Sequence, residues 1–342
     1  MKILCIGAGA IGSYIGGSLQ MAGNDVVFIE RPSLISDLKK NGIWIESIDG
    51  KRHHVTDFHV FGNAEEALKN GAFDFALIAI KSFDTESLIL SLQKLKEIFP
   101  PVLCLQNGVE NEEKLAAFLG EKRVIPVSVC TAISRGKQNS IKVEKLRGIG
   151  IGSSFPLSKR IAAEFKRANL KPKLIEDTKG MKWSKMISNL LANASSAILN
   201  MTPAEIFTDS ISYKLEIRQL RETLDVMRAY GIQPVDIPGV PIRLLCFAVR
   251  HLPTWIVKPL LKKAVGSGRG GKMPSFYIDL YAGRQQSEVE FLNGAVCRYA
   301  KQKGIPVPVN ELYYRTLMDM AGGRLDKAAF DHAPARLAEG IS

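Results

Sequence analysis

An α/β chain is predicted, with a doubly wound parallel sheet in its first half and an all-helical second half. Three observations predict it. The apolar run Lys2-Ile-Leu-Cys-Ile6 feeds directly into Gly7-Ala-Gly-Ala-Ile-Gly12, and Ser13 to Ala22 then reads as a helix, the strand, glycine turn and helix of a Rossmann-type fold. Phe73 to Ile80 and Val102 to Leu105 are further apolar runs of the kind found in parallel sheets covered on both faces. From Met181 onward the pattern becomes helical.

The first element carries the first chemistry. Gly7 permits a tight turn, Gly9 lets backbone amides approach a pyrophosphate, and Gly12 lets the helix pack close to the strand, with phosphates on the helix N-terminus. Gly7, Ala8, Gly9, Ala10, Ile11 and Gly12 are therefore the candidate cofactor-binding turn for NAD(P) or FAD. The second strand, Asp25 to Ile29, ends in Glu30-Arg31, where a ribose-reading residue belongs. The two residues argue for opposite cofactors: a carboxylate accepts hydrogen bonds from the 2'-hydroxyl of NAD, whereas a guanidinium binds the 2'-phosphate of NADP. NADP is favoured only if Glu30 points away and Arg31 points in.

The next two strands end in Lys81 and in Gln106-Asn107-Gly108. Ligands of a doubly wound sheet bind beyond the carboxyl ends of its strands, so Lys81 and Asn107 belong on one rim with Gly7 to Gly12. The β-like stretch from Val124 to Gly152 finishes this domain, and Ile175 to Gly180 is the crossing, giving a nucleotide domain over 1–177 and a helical substrate domain over 178–342. Met181 to Leu199 lacks proline and glycine and reads as one helix, with Lys185, Asn189 and Asn193 four residues apart on one face. Thr202-Pro-Ala-Glu205 is a capping box that starts a new helix, and Ile211 to Ala229 is a long amphipathic one. A basic insertion follows near 234–272. A further helix is read through Ser275, Asp279, Arg284, Glu288 and Asn293, and Pro306-Val-Pro308 introduces a last helix, Asn310 to Met320, closed by Gly322-Gly323.

With 342 residues, 46% hydrophobic and 23% charged, the chain is long enough for two domains and unlike a disordered protein. Cys5, Cys104, Cys130, Cys246 and Cys297 are scattered without metal-ligand spacing, so no metal is expected, and buried thiols in a reducing, cytoplasmic compartment are. Met1-Lys2 leads straight into the first strand, so no signal peptide is expected, and no run supplies the roughly 20 apolar residues of a membrane span. The net charge of +12 is spread through both halves, apart from Arg250, Lys258, Lys262, Lys263, Arg269 and Lys272, interleaved with Trp255 and the run Gly266 to Gly271. One Arg-Gly-Gly does not make an RNA-binding array. A solvated cap, with an anionic cofactor and substrate, accounts for the basicity without nucleic acid.

In order and spacing, the glycine turn, Arg31, Ile80-Lys81, Gln106-Asn107-Gly108, Trp183-Ser-Lys185 with Asn189 and Asn193, Glu288-Val-Glu-Phe-Leu-Asn-Gly294 and Gly304-Ile-Pro-Val-Pro-Val-Asn310 resemble the ketopantoate reductases (2-dehydropantoate 2-reductases) over nearly the whole chain. The resemblance implies NADPH-dependent reduction of a 2-oxo acid in pantothenate synthesis, in a cleft between the two domains. It implies Lys185 as the proton donor, Asn189 and Asn193 on the substrate's hydroxyl or carboxylate, Glu288 on the hydroxyl and orienting Lys185, and Ser275 on the carboxylate. It implies Lys81, Asn107 and Ala132 near the nicotinamide ribose, Asn107 also near substrate, and Arg31 on the 2'-phosphate. The chain departs from the family where Asn193 is followed by Ala194-Ser-Ser-Ala197, where the Ser275 to Glu288 interval is one residue longer, and in the length of the 234–272 insertion. These departures leave ketopantoate and another branched 2-oxo acid open, with an imino-acid enzyme and a non-catalytic NADP(H) sensor as alternatives. A homodimer is compatible with such a helical domain.

Overall fold

A computed structural model describes residues 1–258, 261 and 272–341. The chain forms two compact units: Met1–Lys182 with Ile237–Val240, and Trp183–Asp236 with Pro241–Ser342.

The first unit is an eight-stranded sheet. Its strands are β1 (Lys2–Ile6), β2 (Asp25–Ile29), β5 (His59–Phe61), β6 (Phe75–Ile78), β7 (Val102–Cys104), β8 (Val124–Val129), β11 (Ile149–Gly152) and β12 (Pro172–Ile175), in spatial order β12-β11-β8-β7-β6-β1-β2-β5. All neighbours are parallel except β11 and β8, and Ile6, Ile29, Ile78 and Cys104 end in line. Alternation explains why β1 is apolar at successive positions: Ile3 and Cys5 pack into one hydrophobic layer with Phe28 and Leu77, while Leu4 and Ile6 pack into the other with Val27 and Ile78. The Val124 to Gly152 stretch does not all join this sheet. Its middle forms β9 (Ala132–Arg135) and β10 (Ser140–Lys145), which pair with β3 (Ile43–Glu46) and β4 (Arg52–Val55) in a second sheet, and β10 shows the in–out alternation of a strand with one wet face. The short Ile237–Val240 segment returns to the first unit, where Ile237 is buried and Pro238 lies against Gly148 and Gly150.

The second unit is helical and carries buried polar side chains. Glu222 accepts from the backbone N–H groups of Val309 (3.1 Å) and Asn310 (3.0 Å), capping the Pro308–Ala321 helix. Asn293 donates to Gln219 Oε1 at 2.7 Å and to Asn310 Oδ1 at 3.1 Å. The helix expected over Asn310 to Met320 runs Pro308–Ala321 but is not the last, because Pro334 starts a short Pro334–Ala338 helix after it; the Thr202–Glu205 capping box is present in both directions.

Two helices read as continuous are broken. The first runs Thr178–Leu190; Ala192 then adopts a left-handed conformation (φ 49°), and Asn193 precedes a separate helix, Ala194–Leu199. The cause is remote: the fully buried Glu216, on the Ser210–Ala229 helix, accepts the Ala192 N–H at 2.7 Å and fixes the break. Asn193 is therefore not on one helix face with Lys185 and Asn189. The second, expected through Ser275 to Asn293, is a Ser275–Tyr281 helix, a Glu288–Phe291 turn and an Asn293–Lys303 helix. Gly283 at φ +77° ends the first piece, and the Ser287 hydroxyl accepting the Val289 N–H at 3.3 Å starts the turn.

In the basic insertion, Arg250 pairs with Asp225 at 3.0 Å, Lys258 donates to the Thr208 carbonyl at 3.0 Å and Trp255 is exposed. Lys262, Lys263, Arg269 and the Gly266 to Gly271 run lie outside the described residues. Among the described residues no helix is long and apolar enough to cross a membrane.

Candidate active site

The glycine turn leaves β1 with Gly7 at φ +95°. A Cβ on Gly12 would stand 1.8 Å from the Gly7 carbonyl oxygen, so the helix packs on the turn only because Gly12 lacks one. At Gly9 a Cβ would meet nothing within 4 Å: this glycine faces open space. The Ala10–Met21 helix begins there with no capping side chain and no acidic residue in its first turn. Amides left to an anion, an open approach and a positive helix end fit a pyrophosphate.

At the end of β2, Glu30 turns towards this loop. Its Oε2 accepts the Ala8 N–H at 2.7 Å and its Oε1 the Arg31 N–H at 2.9 Å, while the side chain is 9% exposed. The Arg31 side chain is 81% exposed, with Nε 3.7 Å from Glu30 Oε1. Glu30 thus does not point away, and the orientation set out as favouring NADP is not the one present.

The rim is built from neighbouring strand ends. Ala79 N–H donates to the Ile6 carbonyl at 2.9 Å and Leu105 N–H to the Ile78 carbonyl at 3.1 Å, which aligns the segments leading to Lys81 and Asn107, both half-buried, with the glycine turn. Beneath them runs a polar network. Gln106 Nε2 donates to the Lys81 carbonyl (3.2 Å) and to Thr85 Oγ1 (2.8 Å), and the Asn107 carbonyl accepts from Ser82 Oγ (2.9 Å) and Asn111 Nδ2 (2.7 Å). The ammonium of Lys182 donates to the Gln106 carbonyl at 2.6 Å and lies 2.7 Å from Glu112 Oε1. Burial pushes the Lys182 pKa down, but Glu112 and the nearby Cys104 push it up further, so it is held above the ordinary lysine value. Sequence reasoning missed Lys182, Thr85, Asn111 and Glu112. The available signal was a lysine between Met181 and Trp183, both buried, at the start of an apolar helix. Ala132, half-buried, begins β9 in the second sheet.

In the helical unit Lys185 and Asn189 are half-buried on the Thr178–Leu190 helix. Asn193 is buried; its Nδ2 donates to the Asn189 carbonyl at 3.0 Å and its Oδ1 accepts the Phe276 N–H at 3.1 Å, bringing Asn189, Asn193 and the segment beginning at Ser275 together. Ser275 is exposed at the start of its helix, and Glu288 is buried on its own short turn.

The family described as ketopantoate reductase PanE/ApbA matches residues 3–154, and its C-terminal counterpart matches residues 177–321. The chain belongs to the ketopantoate reductase family. A 2-dehydropantoate 2-reductase of Pyrococcus horikoshii is 27% identical over 92% of this chain and 95% of its own length, and one of Nostoc is 25% identical over 92% and 93%. A family structure from Ralstonia eutropha superposes with a TM-score of 0.79 at 25% identity, covering 95% of this chain and 99% of its own. The fold is also that of a D-mandelate dehydrogenase solved with NADH and anilino(oxo)acetate, with a TM-score of 0.77 at 19% identity over 94% and 99%.

Proposed function

We propose that this chain reduces a 2-oxo acid to a 2-hydroxy acid, most directly 2-dehydropantoate to pantoate, with NADPH as the cofactor. The observation that carries the reading is the open, uncapped turn at Gly9 in a family member whose Lys185 stands half-buried on a helix packed by Trp183, Met186 and Ile187. A reduced nicotinamide supplies the hydride to the carbonyl carbon when bound. As the carbonyl oxygen gains negative charge, the Lys185 ammonium stabilises it and donates the proton that makes the hydroxyl. Glu288 accepts a hydrogen bond from the substrate hydroxyl and orients Lys185. Asn189, Ser275 and Asn193 hold the hydroxyl and carboxylate, Asn193 through the second hydrogen and second lone pair of a carboxamide already used once at each end. Lys81, Asn107 and Ala132 flank the nicotinamide ribose, and Asn107 also reaches the substrate. The thiols of Cys5, Cys104, Cys130 and Cys246, all buried and none in a disulfide among the described residues, suit work in the cytoplasm.

Arg31 is the proposed partner of the 2'-phosphate: Glu30 is already committed to two backbone N–H groups, whereas the Arg31 side chain is exposed. NADH is a second reading, favoured by the Glu30 carboxylate 2.7 Å from the Ala8 amide, because a charge there repels a phosphate. Loss of reduced-nicotinamide absorbance with ketopantoate, run in parallel with NADPH and NADH, tests both. Turnover preferring NADPH is the result expected from the ketopantoate reductase resemblance and the exposed Arg31, against the Glu30 orientation. Turnover only with another 2-oxo acid, or with an oxo acid plus an amine, moves the substrate; binding without any turnover leaves a nucleotide sensor.

A further inference from the structure

We infer that Lys182 is a positioning residue for the cofactor end of the first unit: its buried ammonium holds the turn that carries Asn107 and, through Gln106, the turn that carries Lys81. The inference rests on the proposed reading of those two turns as the nicotinamide side of the site.

The Lys182 ammonium donates to the Gln106 carbonyl at 2.6 Å and to the Val127 carbonyl at 3.3 Å, and it forms an ion pair with Glu112 Oε1 at 2.7 Å. Its side chain is 6% exposed and that of Glu112 14%. Burying such a pair stabilises a fold no better than two well-packed apolar side chains would, so stability alone does not explain it. An apolar pair could not hold the Gln106 carbonyl. That carbonyl belongs to the residue just before Asn107, and the Gln106 carboxamide runs on to the Lys81 carbonyl and to Thr85. A continuous chain of polar contacts therefore leads from the Lys182 ammonium through the main chain of β7's extension to that of β6's extension. Thr85 in turn donates to Asn111 Oδ1 at 3.1 Å, and Asn111 closes the loop on the Asn107 carbonyl. Both turns depend on side chains deep in the unit, and Lys182 is the charged member that reaches them from the Thr178–Leu190 helix.

The test compares Lys182→Met with Lys182→Met/Glu112→Met in the full-length protein. The single variant removes both hydrogen bonds of the ammonium and strands the Glu112 charge; the double variant removes both charges and leaves an apolar pair, so its thermal midpoint should recover towards wild type. Dissociation constants for NADPH and NADH are read by nicotinamide fluorescence, with kcat and KM for the oxo acid. Expected for the folded double variant is dinucleotide binding about tenfold weaker and kcat on the order of a hundredfold lower, with KM little changed. A merely structural loss would lower the active fraction without moving the dissociation constant. A double variant with wild-type dinucleotide affinity and kcat would overturn the inference and leave Lys182 as the counter-charge of Glu112. A wild-type chain that binds neither dinucleotide fails the functional reading itself, and the role of Lys182 with it.

Discussion

In the sheet unit Lys81 and Asn107 follow directly from strand ends that the main chain aligns, through Ala79 to Ile6 and Leu105 to Ile78, whereas in the helical unit Asn193 is set by a carboxylate 23 residues ahead of it in sequence, Glu216, holding the backbone N–H of Ala192. The first arrangement is local and repeats from strand to strand; the second depends on a few buried charges and amides. A substitution within a strand of the sheet unit should therefore be felt where it is made, the one remote reach there being that of Lys182 to the Gln106 carbonyl. A change to one buried polar side chain in the helical unit should move an element that is remote in sequence.

The largest effect that sharpens this contrast is on the chemistry. Lys185→Ala should lower kcat by about a thousandfold while leaving the dinucleotide dissociation constant within about twofold, measured by steady-state rates and fluorescence titration. An unchanged kcat removes Lys185 from the mechanism. Next come paired glycine substitutions in the turn. Gly12→Ala puts a Cβ against the Gly7 carbonyl and should cost about 2–3 kcal/mol of stability along with dinucleotide binding. Gly9→Ala, whose Cβ meets nothing within 4 Å, should keep the wild-type thermal midpoint and lose affinity alone. If both lose stability equally, the open space at Gly9 is not a pyrophosphate approach.

Smaller, and remote in its action, is Glu222→Ala. It uncaps the Pro308–Ala321 helix by stranding the Val309 and Asn310 amides, and should cost about 2 kcal/mol in urea unfolding. A wild-type midpoint would mean that water replaces this cap and that the helical unit is less dependent on its buried charges than argued above. The smallest effect is a pH slope. Burial raises the Glu222 pKa, against the pull of Asn310 and Val309, so the native chain keeps this proton to higher pH than the unfolded chain does. Its contribution to stability therefore falls as pH rises from the ordinary carboxylate range through the raised native value. Glu222→Gln should remove that fall, visible as a difference between the two midpoint-against-pH curves.

The glycine turn, the bounds of β1 and β2, the capping box and the Pro308–Ala321 helix follow from sequence because each is decided within a few residues by periodicity, a turn residue or a cap. The Met181 to Leu199 pattern contains nothing that announces a break, since Ala192 is an ordinary helix former and the deciding carboxylate lies on another helix. Gly283 is a local signal for the end of the Ser275 helix, at a φ of +77° that favours glycine. Glu30 and Arg31 were singled out, yet which of them turns inward is settled by the Ala8 amide, a three-dimensional neighbour. Lys182 stayed hidden for the same reason: lysine is ordinarily a surface residue, and only the carbonyl of Gln106 and the carboxylate of Glu112 make its burial tolerable.

The return of Ile237–Val240 to the first unit means that the polypeptide passes between the units three times, after Lys182, after Asp236 and after Val240. A stop codon after Lys182 would omit Ile237 and the Pro238 that packs on Gly148 and Gly150, so the nucleotide half expressed alone would have a gap in its own surface. The complementary fragment from Trp183 would carry those four residues as an orphaned loop. A single protease nick between 183 and 236 would leave the N-terminal fragment carrying part of the second unit and the C-terminal fragment carrying Ile237–Val240 of the first, so neither fragment would hold a whole unit.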